Sequence, residues 1–330
     1  MVQTFLEDVL GVDKSDQLGF YGPTSGYYGT VEQQGRLTLH LHMLLWIKWN
    51  LNLEDMRAKL LGKNSVWHQK VIEWLEHCHV GDFVTGTHAD VSERIGKLRE
   101  DTSYVNPTMM LPILPPAPCK KHMNEEKGDG CHDCTALLEW SKSYSDIVND
   151  LLLHSNVHSC KKGTKKDGTR KKNKTYAGCM DNKWGRCKAR FPQLTALKTA
   201  IDETGVITIK KLEHWINMFT PLVTYLFRCN MDVTSLSSSP AIKSVTIYVS
   251  DYITKTTLKT HVIFDTIQNM FQKNSGMMGG NLPTTEKAQR FMTKVANLLS
   301  TKAEMGALMI TMYLLGNLDH YTGHLFVPFY

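Results

Sequence analysis

The chain of 330 residues predicts an α+β fold. Strand-like and helix-like patterns are mixed along it without the regular alternation of a parallel βαβ protein. One strand, GRLTLHLHMLLW, alternates apolar and polar positions and carries two histidines. Six of the eight cysteines fall between Cys119 and Cys187, where a metal-stabilised insert would interrupt the fold. At 42% hydrophobic and 21% charged residues, the composition supplies core for two or three packed units. No apolar run approaches the roughly 20 residues that a membrane-spanning helix needs. The N-terminal MVQTFLEDVLGV lacks a basic n-region and a cleavage site, so no signal peptide is expected. The cysteines are therefore expected to bind metal rather than to form a disulfide framework.

The first segment runs to about residue 115 and closes in PILPPAP. Its N-terminus predicts an amphipathic helix with Phe5, Val9 and Leu10 on one side. GYYGTVEQQ predicts a strand with Glu32 and Gln34 on one face. In the strand that follows, Leu39, Leu41, Met43 and Leu45 make an apolar face expected to pack on the core. Thr38, His40 and His42 project from the other. Histidines two apart on a strand lie close enough to share one cation, and either Glu32 or Gln34 could complete a three-ligand site. NSVWHQKVIEWLEHC predicts a helix whose stripe of Trp67, Val71, Trp74, Leu75 and Cys78 reads as core.

The second segment, to about residue 195, holds the cysteines. Cys119-x2-His122-x8-Cys131-x2-Cys134 has zinc-like spacing, with His132 an alternative to His122. His158-x-Cys160, Cys179 and Cys187 supply a second set of four. Thiolates closing the shell of a zinc ion point to a structural role. TALLEWSKSYSDIVNDLLLH predicts a helix between the two sets. Between Cys160 and Cys179 lies KKGTKKDGTRKKNK, with Lys161, Lys162, Lys165, Lys166, Arg170, Lys171, Lys172 and Lys174 against a single acid. That run accounts for the formal charge of +6 and leaves the rest of the chain near neutral. So concentrated a charge predicts contact with a polyanion, which a flexible basic loop holds through phosphates without reading sequence.

In the third segment ALKTAIDETGVITIKK predicts a hairpin around a glycine turn, and PLVTYLFRCNMDV a strand. TLKTHVIFDTIQNMF, EKAQRFMTKVANLLS and EMGALMITMYLLG predict helices. TIYVSDYITKTTLK places Tyr248, Tyr252, Lys255 and Lys259 on one helical face. Lysines continuing a tyrosine stripe argue against a plain core face. A phenol with a pKa near 10 is a weak nucleophile, so it needs an electrophile already polarised, as by a metal.

Taken in order, these features resemble the HUH endonucleases, and most nearly the Rep nuclease ("Helitron helicase-like") domain of Helitron transposases. VEQQGRLTLHLHMLLW is similar to that family's strand segment, with Glu32, Gln34, Arg36, His40 and His42 at matching positions and Leu37 where glycine is usual. IYVSDYITK is similar to its tyrosine motif, and Asn230 and Asp232 in CNMDV to a further block. His158, Cys160, Cys179 and Cys187, the last within CKARFP, are similar to its H-x-C…C…CR-x-FP block. The resemblance implies a Rep-like palm with a central antiparallel sheet: residues 1–115 as its metal-binding half, 116–195 as a zinc-binding insert, and 196–330 as the tyrosine-helix half with C-terminal helices. It implies Mg²⁺ or Mn²⁺ on His40, His42 and Glu32 or Gln34, with Tyr248 and Tyr252 as nucleophiles and Lys255 contacting phosphate or metal-bound water. The implied partner is single-stranded DNA at transposon ends, cut and rejoined through a 5′-phosphotyrosine, with Arg36 and the basic run touching its backbone. A nuclear location follows from the same resemblance and the basic run. No G-x-x-x-x-G-K-[ST] occurs, GKNS at 62–65 not being one, so no helicase activity is expected of this chain. The family's first strand would lie upstream of Met1, so the chain reads as an isolated or truncated product. The alternative reading is a non-catalytic, zinc-stabilised DNA-binding remnant.

Overall fold

The structure, a computed structural model, describes residues 1–12, 14, 18–34, 38–48, 53–62, 65–120, 122, 131–160, 178–180, 182–236, 264, 265, 267–269, 272, 284–302 and 306–324. Arg36, the basic run at 161–174 and the stretch carrying Tyr248, Tyr252, Lys255 and Lys259 lie outside the described residues. The fold is mixed α and β, with a small antiparallel sheet among helices. In chain order, α1 (Val2–Thr4) runs on as a π turn over Phe5–Val9, followed by β1 (Thr24–Gln34), β2 (Thr38–Ile47), α2 (Leu53–Leu61), α3 (Ser65–Cys78) and α4 (His88–Arg99). Next come α5 (His132–Leu151), extended by a π turn over Leu152–Asn156, then β3 (Ala200–Ile201), β4 (Ile207–Thr208) and α6 (Pro221–Phe227). The last described elements are α7 (Thr284–Lys302), α8 (Ala307–Leu314) and β5 (His320–Thr322). The chain divides into two compact units, Met1–Tyr21 with Leu51–Ala241, and Gly22–Asn50 with Ile242–Tyr330. None of the described helices is long and apolar enough to cross a membrane.

In the first unit α4 starts at a reciprocal cap. The Thr87 hydroxyl accepts from the Asp90 peptide N–H while the Asp90 carboxylate accepts from that of Thr87. Two donors that helix geometry leaves over are thereby satisfied. Val91 and Ile95 on α4 sit one turn apart, as do Val148 and Leu152 on α5 and its π extension, so each helix offers one apolar stripe. The stripes meet Phe83, Ile216, Phe219 and Tyr225 in the unit's core. Arg94 bonds Asp146 at 3.0 Å, and Arg99 pairs with Asp150, tying α4 to α5 at the edge of this core. Phe219 is fully buried, so Phe219→Ala is expected to cost about 3–5 kcal/mol. Urea unfolding checks this, with a lower midpoint at unchanged slope.

The stripe on α3 buries Leu75 and Cys78 completely. Burial pushes the Cys78 thiol up to about 12, so this cysteine is a core residue rather than a nucleophile or ligand. The hairpin forms as predicted: Ala200 pairs with Thr208 and Ile201 with Ile207, and Gly205, at φ +79°, takes the turn conformation that glycine adopts freely. PLVTYLFRCNMDV departs from expectation, because Pro221–Phe227 is helical. A short continuous apolar run fits a buried strand or a buried helix equally well by periodicity. Pro221 decides between them, since its fixed φ and missing N–H suit the first turn of a helix. Val223, Thr224 and Tyr225 are the residues this turn buries.

In the second unit the strand order is β2-β1-β5, all antiparallel. Glu32 faces His40, Thr30 faces His42 and Gln34 faces Thr38 across β1 and β2. Residues opposed in this way share a face, so the alternation read from sequence holds for both histidines. On the other face, the Gln33 side-chain oxygen accepts from the Leu308 peptide N–H at 3.1 Å. It thus caps α8, whose own N-cap residue, Gly306, has no side chain to do so. The apolar face is covered less than expected: Leu39 is 42% and Leu41 36% exposed, while Met43 and Leu45 are half-buried. α8 is only eight residues long, about 12 Å, and lies over part of that face.

Candidate metal centres

The first Cys/His set is assembled at the start of α5. Cys131 is the N-cap residue of that helix, Cys134 lies in its first turn, and Cys119 and His122 come from irregular chain that precedes it in sequence. The Cys119 sulfur lies 3.3 Å from His122 Nδ1 and 3.6 Å from the Cys131 sulfur, and the Cys134 sulfur 3.5 Å from the same nitrogen. All four ligand atoms fall within 4.8 Å of one another. Ligands around a tetrahedral zinc with bonds of about 2.0–2.3 Å stand roughly 3.3–3.8 Å apart, so this spacing fits the ion. His132, the alternative ligand, has its side chain 96% exposed and turned to Asp133. Donation from the Cys134 peptide N–H, ahead of the contact with Cys119, lowers the Cys131 thiol to about 6. Burial, followed by its two sulfur neighbours, raises Cys134 to about 11. A divalent cation would relieve that crowding by drawing every sulfur to the thiolate.

The second set gathers His158, Cys160, Cys179 and Cys187, again with all ligand atoms within 4.8 Å. The Cys187 sulfur is 3.2 Å from His158 Nε2. The His158 ring stacks on Phe191, with centroids 4.3 Å apart and 10° between planes, and Phe191 lies parallel to Trp215. The His158 peptide N–H donates to the Trp215 carbonyl at 2.7 Å, so ring and backbone are both fixed. Burial works against ionisation of Cys187, but N–H donation from Phe191 and Ala189 outweighs it and lowers the pKa. Both sets of four could therefore hold a metal such as zinc, as their soft sulfur and imidazole donors suit it.

The histidine strand is built differently. His42 Nε2 lies 3.3 Å from a Glu32 carboxylate oxygen, both side chains being largely buried. His40 faces Glu32 in register, but its Nε2 meets the Thr38 hydroxyl at 2.9 Å. The structure thus brings His42 and Glu32 together, puts His40 and Gln34 on the same face by register, and gathers no third His, Cys, Asp or Glu ligand as tightly as in the two sulfur-rich sets, among the described residues. No family model matches the chain, and neither does any curated protein or solved structure. Any assignment therefore rests on the geometry of the chain itself.

That geometry adds a residue the sequence pattern does not single out. Thr30, buried in the middle strand, faces His42 on one side and His320 of β5 on the other. The two histidines consequently share one sheet face, His42 beside the Glu32 carboxylate and the His320 ring edge-on to Tyr28 with centroids 6.3 Å apart. Asp319 lies 2.7 Å from His320 Nδ1 and accepts from the Tyr313 hydroxyl. A carboxylate on one ring nitrogen orients the other nitrogen for ligation.

Proposed function

We propose that the chain is a metal-dependent single-strand DNA endonuclease and strand transferase with a Rep-like palm, related to the Helitron transposases that its motifs resemble. The observation that carries this reading is the β1–β2 register, which sets Glu32 opposite His40 with its carboxylate beside His42. A mixed carboxylate and imidazole set suits Mg²⁺ or Mn²⁺, with His40, His42, Glu32 or Gln34, and His320 as the residues to hold it. When bound, the cation supplies positive charge that polarises a scissile phosphate. The phenol of Tyr248 or Tyr252 gives up its proton as its oxygen attacks phosphorus, and the bond from phosphorus to the 3′ oxygen breaks. This leaves a 5′-phosphotyrosine and, once the leaving oxygen takes up a proton, a free 3′-OH. The second tyrosine permits a further cut before the first strand is rejoined, and Lys255 neutralises phosphate charge. Zinc in the two Cys/His sets is structural, and the second pins both ends of the basic run, whose seven lysines and Arg170 hold DNA by its phosphates; Arg36 makes a phosphate contact of its own. The place of action is the nucleus.

A second reading, a zinc-stabilised DNA-binding protein without catalysis, is favoured by one observation: both Cys/His sets are fully assembled and need no tyrosine. Incubation with end-labelled single-stranded oligonucleotide and Mn²⁺ separates the two. A covalent adduct on a denaturing gel, lost in the Tyr248→Phe, Tyr252→Phe double variant, is the expected result. Salt-sensitive binding without adduct supports the second reading, and cleavage indifferent to both tyrosines points to a metal hydrolase instead.

A further inference from the structure

We infer that the loop between Cys179 and Cys187 is a base-stacking site for single-stranded nucleic acid, with Trp184 as its platform. This deepens the DNA-binding part of the proposed function but does not depend on the tyrosine chemistry. The described residues of this short loop, 180 and 182–186, are tied together by hydrogen bonds. Asn182 accepts from the Trp184 peptide N–H at 3.0 Å and donates through its amide to the carbonyls of Cys179 and Arg186. Gly185 has φ +60°, which closes the turn and which a side chain would oppose. The Lys188 peptide N–H returns to the Cys179 carbonyl at 3.0 Å, so the loop is clasped where its two metal ligands stand.

This frame holds the largest side chain of the loop outward. Trp184 is 71% exposed, although the buried Phe191 shows that the same segment can turn an aromatic ring inward. Exposure of one apolar side chain is ordinary for a folded chain; what sets Trp184 apart is an aromatic face held outward in a fixed turn among cations. Residues 182–190 read NKWGRCKAR, with Lys183, Arg186, Lys188 and Arg190 all exposed, so that with Asp181, the loop's one acid, the stretch keeps a net charge of about +3. Lys183 Nζ stands 4.8 Å from the Trp184 ring centroid and helps to hold the ring in place. An apolar protein partner would gain little from four cations around a single ring. A nucleic-acid strand needs both features: cations along its phosphates and an aromatic face for an unstacked base. A duplex keeps its bases stacked on one another and offers the ring nothing, so the ligand is single-stranded.

The test uses the zinc-loaded full chain and fluorescence anisotropy with a labelled oligothymidylate, the same strand carrying abasic sites, and a duplex. Trp184→Ala is expected to weaken binding to the intact strand by roughly tenfold or more, and Trp184→Phe by much less. It should change binding to the abasic strand little, because no base is left to stack. Arg186→Gln and Lys188→Gln should each reduce the slope of log affinity against log salt by about 0.7, whereas Trp184→Ala leaves the slope unchanged. Zinc stoichiometry of every variant shows that the loop is still formed. Wild-type affinity in Trp184→Ala, or an equal loss on intact and abasic strands, overturns the stacking site while leaving the nuclease reading standing. Absence of binding by the wild-type chain to any of the three probes overturns both.

Discussion

Stripping zinc from the chain is expected to unfold the region between residues 119 and 191, seen as loss of a cooperative melting transition and recovery on adding zinc back. The reason is one of scale. Binding of structural zinc to small finger peptides is worth about 10–16 kcal/mol near neutral pH, comparable with the whole stability of an ordinary domain at about 5–15 kcal/mol. Three sulfurs and one imidazole lie within 4.8 Å of one another, twice over, so each set concentrates donors that a cation would hold together. Two zinc ions per chain are expected. Cys119→Ser should remove one and Cys160→Ser the other, because the two sets share no ligand. Acid should act in the same direction as chelation. Zinc is held by thiolates and a neutral imidazole, so protons compete with the ion for every ligand of both sets. A metal content that is constant from pH 8 down to pH 4 would contradict both the site and its protonation chemistry.

His42→Ala is expected to abolish formation of the covalent DNA adduct, at least 100-fold, while leaving zinc content and binding to the basic run unchanged. His42 is the histidine whose Nε2 lies beside the Glu32 carboxylate, so its loss removes one of the proposed ligands and leaves an acidic group without its neighbour. Glu32→Gln keeps the shape but removes the charge, and should raise the Mn²⁺ concentration needed for half-maximal adduct by about 10- to 100-fold. His320→Ala should do likewise if its imidazole completes the set across Thr30, whereas Leu44→Ala, on the same face but without a ligand atom, should not. Titrating Mn²⁺ against adduct yield reads all four variants on one scale. Adduct yield unaffected by His42→Ala would remove the histidine strand from the chemistry.

What could be read from the sequence here was local. The x2 and x8 spacings of Cys119, His122, Cys131 and Cys134 brought the right residues to one point, because a ligand pair two or three residues apart needs only a turn to converge. Alternation put His40 and His42 on one face because a strand has a period of two wherever it pairs. His320 stayed hidden for the opposite reason: its place is set by β5 pairing with β1, a contact between distant parts of the chain. Leu39 and Leu41 carried a core pattern that the short α8 does not cover completely, and Pro221–Phe227 carried a strand-like composition on a helix. Trp184 was passed over because a single aromatic in a polar loop has no periodicity to notice. Its meaning comes from exposure, which only the folded chain reveals.

α5 has a consequence for the geometry of the whole insert. Cys131 stands at its N-cap position, and the chain leaves its C-terminal π turn through Val157 into His158, so each Cys/His set has ligands at one end of the same helix. A helix of 20 residues is about 30 Å long, which makes α5 a ruler between the two candidate metal sites. Cobalt substituted at both ends would give two magnetically isolated centres, and any polymer touching both would have to run the length of the helix.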